Sequence, residues 1–184
     1  MFAHPLGDGA ELRPLEPWQA AEFAEHVDRV RADIVRYVPF GRVVVDEASA
    51  RVFLQRYADL QAADGGRLFG IWVDGVLQGG TLFRVFDAGQ GVCEAGVWLD
   101  RAAQGRGLVT TACRVMIDWA FGARGMARVE WLCDPANDAS IAVARRLGMT
   151  LEGVRRKAYV HDGEPRDLQV WAVLDDEWKA AGGR

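Results

Sequence analysis

The hydrophobic pattern changes its period from two residues to about 3.6 at Gly107, and this change most constrains the fold. Before the change, the stretch VCEAGVWL alternates, with Glu94 and Trp98 on the same face, which predicts a strand. After it, apolar side chains recur at helical spacing from Val109 to Phe121, which predicts an amphipathic helix. The loop RAAQGRG joins the two. The chain must therefore begin a helix directly after a strand.

The other elements are predicted from the same two periods and from turn signals. Asp74-Gly75 and Asp162-Gly163 are dipeptides that favour tight hairpin turns between strands. Further segments are expected to be a mobile tail at His4, a first strand through Leu12 and Leu15, helices within 18–38 and 46–64, a strand within 127–134 and a short helix within 137–148. The order β-α-α-β-β-β-α-β-α-β-β places antiparallel strands before a βαβα unit. This order predicts a mixed α+β architecture rather than a doubly wound parallel sheet.

Length and composition predict one domain spanning 1–184, with its core at about 10–178. Half of the 184 residues are hydrophobic and 26% are charged, which is typical of a globular chain. A net charge of −4 argues against nucleic acid or an anionic membrane as a partner. No apolar run is long enough for a signal peptide or a bilayer span. Three cysteines outside any CxxC or Cys/His cluster predict neither disulfides nor a metal site, and they favour a cytoplasmic location.

The loop before the predicted helix has the composition of an anion site. The first N–H groups of a helix have no partner within it, and its dipole favours negative charge there. Gly105 and Gly107 let a ligand approach the backbone, and Arg106 adds a positive charge at the rim. The Gly-Lys-Ser/Thr triplet of a Walker loop is missing, and Thr110 stands where a dinucleotide fingerprint has its third glycine. An ordinary turn and an acyl-CoA pyrophosphate loop, Q/R-x-x-G-x-G/A, remain as alternatives.

Three stretches in this order resemble the RimJ/RimL-like branch of the GNAT superfamily of N-acetyltransferases: EAGVWLDRAAQGRGLVTTA, NDASIAVARRLGM and GVRRKAYVHDGEPRDLQVWAVLDDEW. The resemblance runs from about Leu12 to Trp178. The chain departs from the family pattern at Val97, Val109, Thr111 and Met149, where Tyr, Ala, Glu and Phe are usual. The resemblance implies a GNAT fold, with a central twisted, mostly antiparallel sheet, a βαβα core that binds acetyl-CoA, and helices on both faces.

The resemblance also implies which residues hold acetyl-CoA. Val97 and Leu99 would pair their backbone with the pantetheine arm, and backbone N–H groups of the loop would hold the pyrophosphate. Asn137 would contact the pantetheine, and Ser140 would lie nearer the thioester sulfur. Asn137 and Ser140 are equally good helix-capping residues. The full predicted cofactor set is Val97, Trp98, Leu99, Gln104, Gly105, Arg106, Gly107, Leu108, Val109, Thr110, Asn137 and Ser140.

Three residues are predicted to carry the chemistry. Glu94 is the candidate general base, acting through a water on the acceptor ammonium, and its alternative is a plain surface carboxylate on a strand. Ser140 and Tyr159 are candidates for protonating the leaving thiolate, although a strand tyrosine is commonly a packing residue. A covalent route through Cys93 is disfavoured, because it points away from Glu94 and no histidine is placed to activate it.

The predicted function is transfer of an acetyl group from acetyl-CoA to a primary amine by direct attack in a ternary complex, without a metal. The amine is a protein N-terminus or a small molecule. The acceptor cleft is expected beside IVRYVPFG, Arg84, Tyr159 and HDGE. A homodimer is left open. The alternatives are a catalytically silent acyl-CoA-binding domain acting as a sensor or scaffold, which Val97 and Val109 keep open, and a nucleotide-binding module.

Overall fold

The computed structural model describes residues 3–182, and this range contains eight strands and six α-helices. The ends of the predicted domain, residues 1, 2, 183 and 184, lie outside the described residues. The strands are β1 His4–Gly7, β2 Ala10–Pro14, β3 Arg67–Val73, β4 Val76–Asp87, β5 Val92–Leu99, β6 Arg128–Cys133, β7 Thr150–His161 and β8 Glu164–Leu174. The helices are α1 Ala20–Ile34, α2 Phe40–Val43, α3 Glu47–Ala62, α4 Leu108–Asp118, α5 Asp138–Arg146 and α6 Asp175–Ala180.

The strands follow the order β1-β2-β3-β4-β5-β6-β8-β7 in one sheet. β5 pairs with β6 in parallel, from Val92 opposite Arg128 to Ala95 opposite Trp131. The pairs β1–β2, β2–β3, β3–β4, β6–β8 and β7–β8 are antiparallel. The predicted α+β class with a mostly antiparallel sheet is therefore confirmed. Two neighbouring parallel strands need a crossover connection, and α4 lies in the connection between β5 and β6.

The described chain divides into two compact units. The first comprises the chain up to Phe83 together with Val97–Ala112, and the second comprises Arg84–Gly96 together with the chain from Cys113 onward. The two strands β4 and β5 and the helix α4 each contribute residues to both units. The prediction of one domain over 1–184 stays a prediction.

The core of the first unit forms around aromatic side chains of α1, α3 and the strands. Phe23 on α1 is fully buried, and its ring centroid lies 5.6 Å from that of Phe40 and 6.2 Å from that of Trp98. Burying one such side chain contributes roughly 1.5–3 kcal/mol to stability. Asp46 caps α3 by accepting a hydrogen bond from the Ser49 N–H at 2.8 Å. The helix predicted within 46–64 is therefore confirmed.

The second unit contains the parallel strand pair and the long β7–β8 hairpin. Val129, Trp131 and Cys133 alternate into the interior along β6, as the strand period requires. The indole N–H of Trp178 on α6 donates to Asp118 Oδ1 at 2.7 Å. β7 lies at the end of the strand order and is exposed over most of its length.

Four sequence predictions about secondary structure are corrected. His4 does not lie in a tail but opens β1, which turns at Asp8-Gly9 into β2. The first strand ends at Pro14, before Leu15. The helix expected up to Pro39 ends at Ile34 and is followed by α2. The last strand was expected to continue to Trp178 but ends at Leu174, and the chain then forms α6, whose six residues are too few for a helical period to show.

None of the helices within residues 3–182 is long and apolar enough to cross a membrane.

Candidate functional site

The loop between β5 and α4 begins with a short helical turn that Asp100 caps. Asp100 Oδ1 accepts a hydrogen bond from the Ala102 N–H at 2.9 Å, and residues Arg101–Ala103 form one 3-10 turn. Gln104 then continues in an extended conformation. A capped turn of this kind fixes the direction of the backbone that leads to Gly105, and no side chain of residues 105–107 takes part in it.

Gly105 and Gly107 both adopt left-handed backbone conformations, with φ of 80° and 73°. A Cβ atom built at either position would meet no atom within 4 Å. These glycines are therefore required by the backbone path and not by crowding from the protein itself. The space beside Gly105 and Gly107, called the cradle below, is open and can be occupied by a bulky anionic ligand.

α4 supplies N–H groups to this cradle. Its hydrogen-bond ladder begins with the Thr111 N–H, which donates to Gly107 O at 3.0 Å. The N–H groups of Leu108, Val109 and Thr110 precede that ladder, and the first turn of the helix carries no acidic side chain. The positive end of the helix dipole lies at the same place. The Val109 side chain is half-buried. This geometry fits a phosphate-bearing ligand.

Arg106 and Trp98 are held by the protein through their side chains. One guanidinium N–H of Arg106 donates to Asp8 O, in the β1–β2 turn, at 2.9 Å. Trp98 is 3% exposed, and its ring belongs to the aromatic core of the first unit. A cofactor contact by Trp98 would therefore be made by its backbone, as predicted for its neighbours on β5.

Three residues that sequence reasoning missed support the root of this loop. Arg29 Nε on α1 donates to Asp100 Oδ2 at 3.0 Å, and the buried His26 accepts a hydrogen bond from Trp98 Nε1 at 3.0 Å. Burial, with the nearby Arg29 charge adding to its effect, lowers the pKa of His26 to about 4. The only local signal for this group was an aspartate placed directly after a strand, where capping residues are common.

The second unit contains the predicted base. Arg84 donates to Glu94 through two hydrogen bonds, Nε to Oε1 at 2.7 Å and Nη2 to Oε2 at 2.5 Å. The Glu94 side chain is 13% exposed and that of Arg84 is 58% exposed. A bidentate guanidinium pair fixes the orientation of the carboxylate. Glu94 is therefore an oriented carboxylate on β5 and not a loose surface side chain.

Cys93 lies next to Glu94 but is fully buried, with its thiol 3.7 Å from Arg128 O. Burial, together with the negative charge of Glu130, raises the pKa of Cys93 to about 12. A thiol with this pKa carries almost no thiolate at neutral pH. The geometry therefore agrees with the prediction that Cys93 is not a nucleophile.

Asn137 and Ser140 meet at the start of α5. Asn137 Oδ1 accepts a hydrogen bond from the Ser140 N–H at 3.1 Å, which caps the helix. The Trp131 indole N–H donates to Ser140 Oγ at 2.9 Å. Burial raises the pKa of the Cys133 thiol, and a side-chain hydrogen bond with Ser140 opposes that increase, so the Ser140 hydroxyl contacts both Trp131 and Cys133. Asn137 therefore serves as a capping residue, as the alternative interpretation held, whereas Ser140 contributes its backbone N–H to the cap.

The Tyr159 hydroxyl forms a hydrogen bond with Asp134. The hydroxyl donates to Asp134 Oδ2 at 2.6 Å, and Asp134 Oδ1 accepts from the Ala136 N–H at 2.7 Å. This pair fixes the segment between β6 and α5, directly before Asn137. Both candidates for protonating a thiolate therefore have described partners: Tyr159 donates to a carboxylate, whereas Ser140 contacts the Trp131 indole and the Cys133 thiol.

The predicted residues are thus distributed over both units. Val97–Thr110 belong to the first unit, whereas Glu94, Asn137, Ser140 and Tyr159 belong to the second. Within residues 3–182, no group of three or more His, Cys, Asp or Glu side chains is arranged to hold a metal ion.

Residues 10–150 match the family model described as acetyltransferase (GNAT) domain. The putative ribosomal N-acetyltransferase YdaF of Bacillus subtilis is 28% identical over 97% of this chain and 98% of its own length. The probable N-acetyltransferase YjcK of the same organism is 30% identical over 90% of this chain and 95% of its own.

Among solved structures, RimL, a ribosomal alpha-N-protein acetyltransferase in complex with coenzyme A, superimposes with a TM-score of 0.88. The alignment covers 95% of this chain and 99% of that chain at 23% sequence identity, so it shows a shared fold. Since these matches extend over nearly the whole described chain, the same fold contains both the glycine loop and the group around Ser140.

Proposed function

The chain belongs to the acetyltransferase (GNAT) family and is an acetyl-CoA-dependent N-acetyltransferase, and from this we propose that its acceptor is the α-amine at the N-terminus of a protein. We further propose that the acetyl group passes directly to the amine. The predictions of GNAT family, α+β fold and N-acetyltransferase activity are confirmed.

The observation that carries the cofactor part of this proposal is the open cradle at Gly105 and Gly107. Two left-handed glycines with no atom within 4 Å of a built Cβ lead into the free N–H groups that begin α4. The backbone from Gln104 to Thr110 would hold the pyrophosphate of acetyl-CoA. Val97 and Leu99 would pair with its pantetheine arm through their backbone. Acetyl-CoA presents the reacting thioester.

Glu94 is proposed to remove the proton that the acceptor ammonium must lose before its nitrogen can attack. The bidentate pair with Arg84 orients the carboxylate, and a water is proposed to carry the proton to one of its oxygens. Arg84 is the more exposed partner and lies among the residues expected to border the acceptor. The carboxylate would therefore be an oriented proton acceptor beside a fixed positive charge.

Ser140 is proposed to supply a proton to the departing thiolate of coenzyme A. Its Oγ accepts from the Trp131 indole, which orients the O–H and lowers the cost of negative charge on the oxygen. As the new N–C bond forms and the C–S bond breaks, the Ser140 proton passes to sulfur. A proton released from the amine restores the hydroxyl. Tyr159 is assigned a positioning role, because its O–H donates to Asp134.

The choice of a protein N-terminus is supported by the relatives. YdaF carries the description of a putative ribosomal N-acetyltransferase and aligns with 97% of this chain. The direct route is supported by the unreactive environment of Cys93, whose thiol is buried and has a pKa of about 12. A cytoplasmic location is part of the proposal and agrees with three buried cysteines that form no disulfide.

The test combines an acceptor panel with matched variants. The protein is incubated with acetyl-CoA and a peptide with a free N-terminus, the same peptide with a blocked N-terminus and one lysine, or a polyamine. Coenzyme A release and product mass are followed. We expect acetylation of the free N-terminus only. Binding of acetyl-CoA without thiol release on any amine would instead identify a silent acyl-CoA-binding domain.

The variants test the assigned roles. Glu94→Gln and Ser140→Ala should each lower kcat by at least about tenfold while acetyl-CoA binding persists. Tyr159→Phe should lower kcat less than Ser140→Ala, because it removes a positioning contact and not the donor. Turnover by Glu94→Gln that stays within tenfold of the wild-type rate across pH would show that Glu94 is not the base.

A further inference from the structure

We propose that Arg29 on α1 is a positioning residue for the binding of acetyl-CoA, because it fixes the root of the glycine loop that follows β5. This inference rests on the proposed role of that loop in holding the pyrophosphate. Arg29 makes no contact with the glycine segment itself and acts through Asp100, at the point where the chain leaves β5.

Arg29 joins two strands to α1 with a single guanidinium. Its Nε donates to Asp100 Oδ2 at 3.0 Å, and its Nη2 donates to Leu77 O near the start of β4 at 2.8 Å. The Asp100 N–H donates to Gln78 O at 2.6 Å. Arg29 and Asp100 therefore lock the end of β5 to the beginning of β4, and a planar fork is needed to reach both acceptors.

The same carboxylate begins the loop. Asp100 Oδ2 accepts from Arg29, while Oδ1 accepts from the Ala102 N–H and caps the 3-10 turn. The Asp100 side chain is only 13% exposed, so without Arg29 a largely buried anion would lose its cation. The turn could then rotate, and the direction in which the chain reaches Gly105 would no longer be fixed.

His26 supports the guanidinium from the interior. The Trp98 indole N–H donates to His26 Nε2, so the neutral ring carries its proton on Nδ1, which faces Leu77 O. Arg29 Nη2 lies 3.0 Å from that Nδ1 and shares the same carbonyl. The buried ring therefore limits the positions that the guanidinium can take. An ordinary exposed ion pair on a helix has no buried ring that restricts its position in this way.

The loop has one other described side-chain anchor, Arg106, which binds Asp8 O. Arg106 lies between the two glycines, whereas Asp100 lies five residues before Gly105. Asp100 therefore anchors the loop before its glycines, and Arg106 anchors it between them. Loss of the Arg29 anchor should therefore spread the orientations of the Gly105–Thr110 N–H groups without removing any of them. The expected cost falls on cofactor affinity and not on proton transfer.

The experiment compares Arg29→Met with Arg31→Met. Arg31 lies on the same helix, donates to Gly41 O and pairs with Asp28, so the control removes comparable contacts that do not lead to the loop. Kd for coenzyme A is measured by calorimetry, and kcat and both KM values by thiol release. Arg29→Met should raise Kd about tenfold, the scale set by losing one charge-assisted hydrogen bond. Its kcat and acceptor KM should stay within twofold, and Arg31→Met should match wild type.

Two further measurements separate positioning from general loss of stability. Arg29→Lys retains the charge but not the fork, so its Kd should be intermediate. With S-acetylpantetheine as donor, which lacks the pyrophosphate, Arg29→Met and wild type should have equal kcat/KM. A Kd of Arg29→Met within twofold of wild type, or an equal loss with the truncated donor, would overturn the inference. Failure of the wild-type protein to bind coenzyme A would instead refute the proposed function.

Discussion

Mild acid should destabilise the first unit through one buried side chain, His26. Its ring is 1% exposed and is faced by the Trp98 indole, the Leu77 carbonyl, the Arg29 guanidinium and the Asp100 carboxylate. Burial, with Arg29 adding to it, lowers the pKa of His26 from 6.5 to about 4. The folded protein therefore keeps the ring neutral at pH 5, whereas the unfolded chain protonates it.

The sign follows from which state binds more protons. Between pH 6.5 and 4 the unfolded state holds nearly one more proton at His26 than the folded state, so the free energy of unfolding falls as the pH falls. The stabilisation is fully present above pH 6.5 and is lost as the pH drops towards 4. For these two pKa values, going from pH 7.5 to pH 5 costs about 2 kcal/mol of stability.

The measurement is urea unfolding at both pH values, for wild type and for His26→Gln. Glutamine offers Trp98 an amide oxygen as acceptor and does not titrate, so other ionisable groups contribute equally in both proteins. Wild type should lose about 2 kcal/mol more than the variant between pH 7.5 and pH 5. Coincident fluorescence and circular dichroism transitions check two-state behaviour. Equal losses in the two proteins would refute the assignment of a neutral, buried His26.

Two other outcomes are expected. In chemical denaturation, Gly80→Ala should lower the free energy of unfolding by about 1–3 kcal/mol, because a Cβ there would collide with the Trp98 ring. Its control is Gly153→Ala, whose added Cβ would have no atom within 4 Å and which should change the free energy of unfolding by about 0.5 kcal/mol or less. Cys93 should resist iodoacetamide at pH 8 in the native protein and react once unfolded in urea, since burial raises its pKa to about 12, and a native Cys93 adduct found by mass spectrometry would contradict this. Cys93→Ala should retain wild-type kcat, and a large loss of kcat in a folded variant would contradict the direct route.

The elements that could be predicted from the sequence are those defined by neighbours along the chain. Alternation identified β5, helical spacing identified α4, and the dipeptides Asp74-Gly75 and Asp162-Gly163 marked hairpins that the structure contains. The β1–β2 hairpin was missed because its four-residue first strand is too short for a period to be recognised, although Asp8-Gly9 is the same kind of turn signal.

The sequence by itself determined the parts of the site that consist of backbone. Gly105 and Gly107 before an amphipathic helix specify left-handed turns and free N–H groups, because φ preferences and helix ends depend on residues a few positions apart. The family and the cosubstrate were indicated by the resemblance of three ordered motifs to the GNAT superfamily, of which this loop is one.

Only the tertiary structure decided which side chains act together. Arg29 meets Asp100 across 71 positions of sequence, and Tyr159 meets Asp134 across 25. No periodicity links such residues, since their contact depends on how strands and helices pack. The same packing makes His26 neutral and Cys93 unreactive, because desolvation acts on a group only after distant parts of the chain have closed around it.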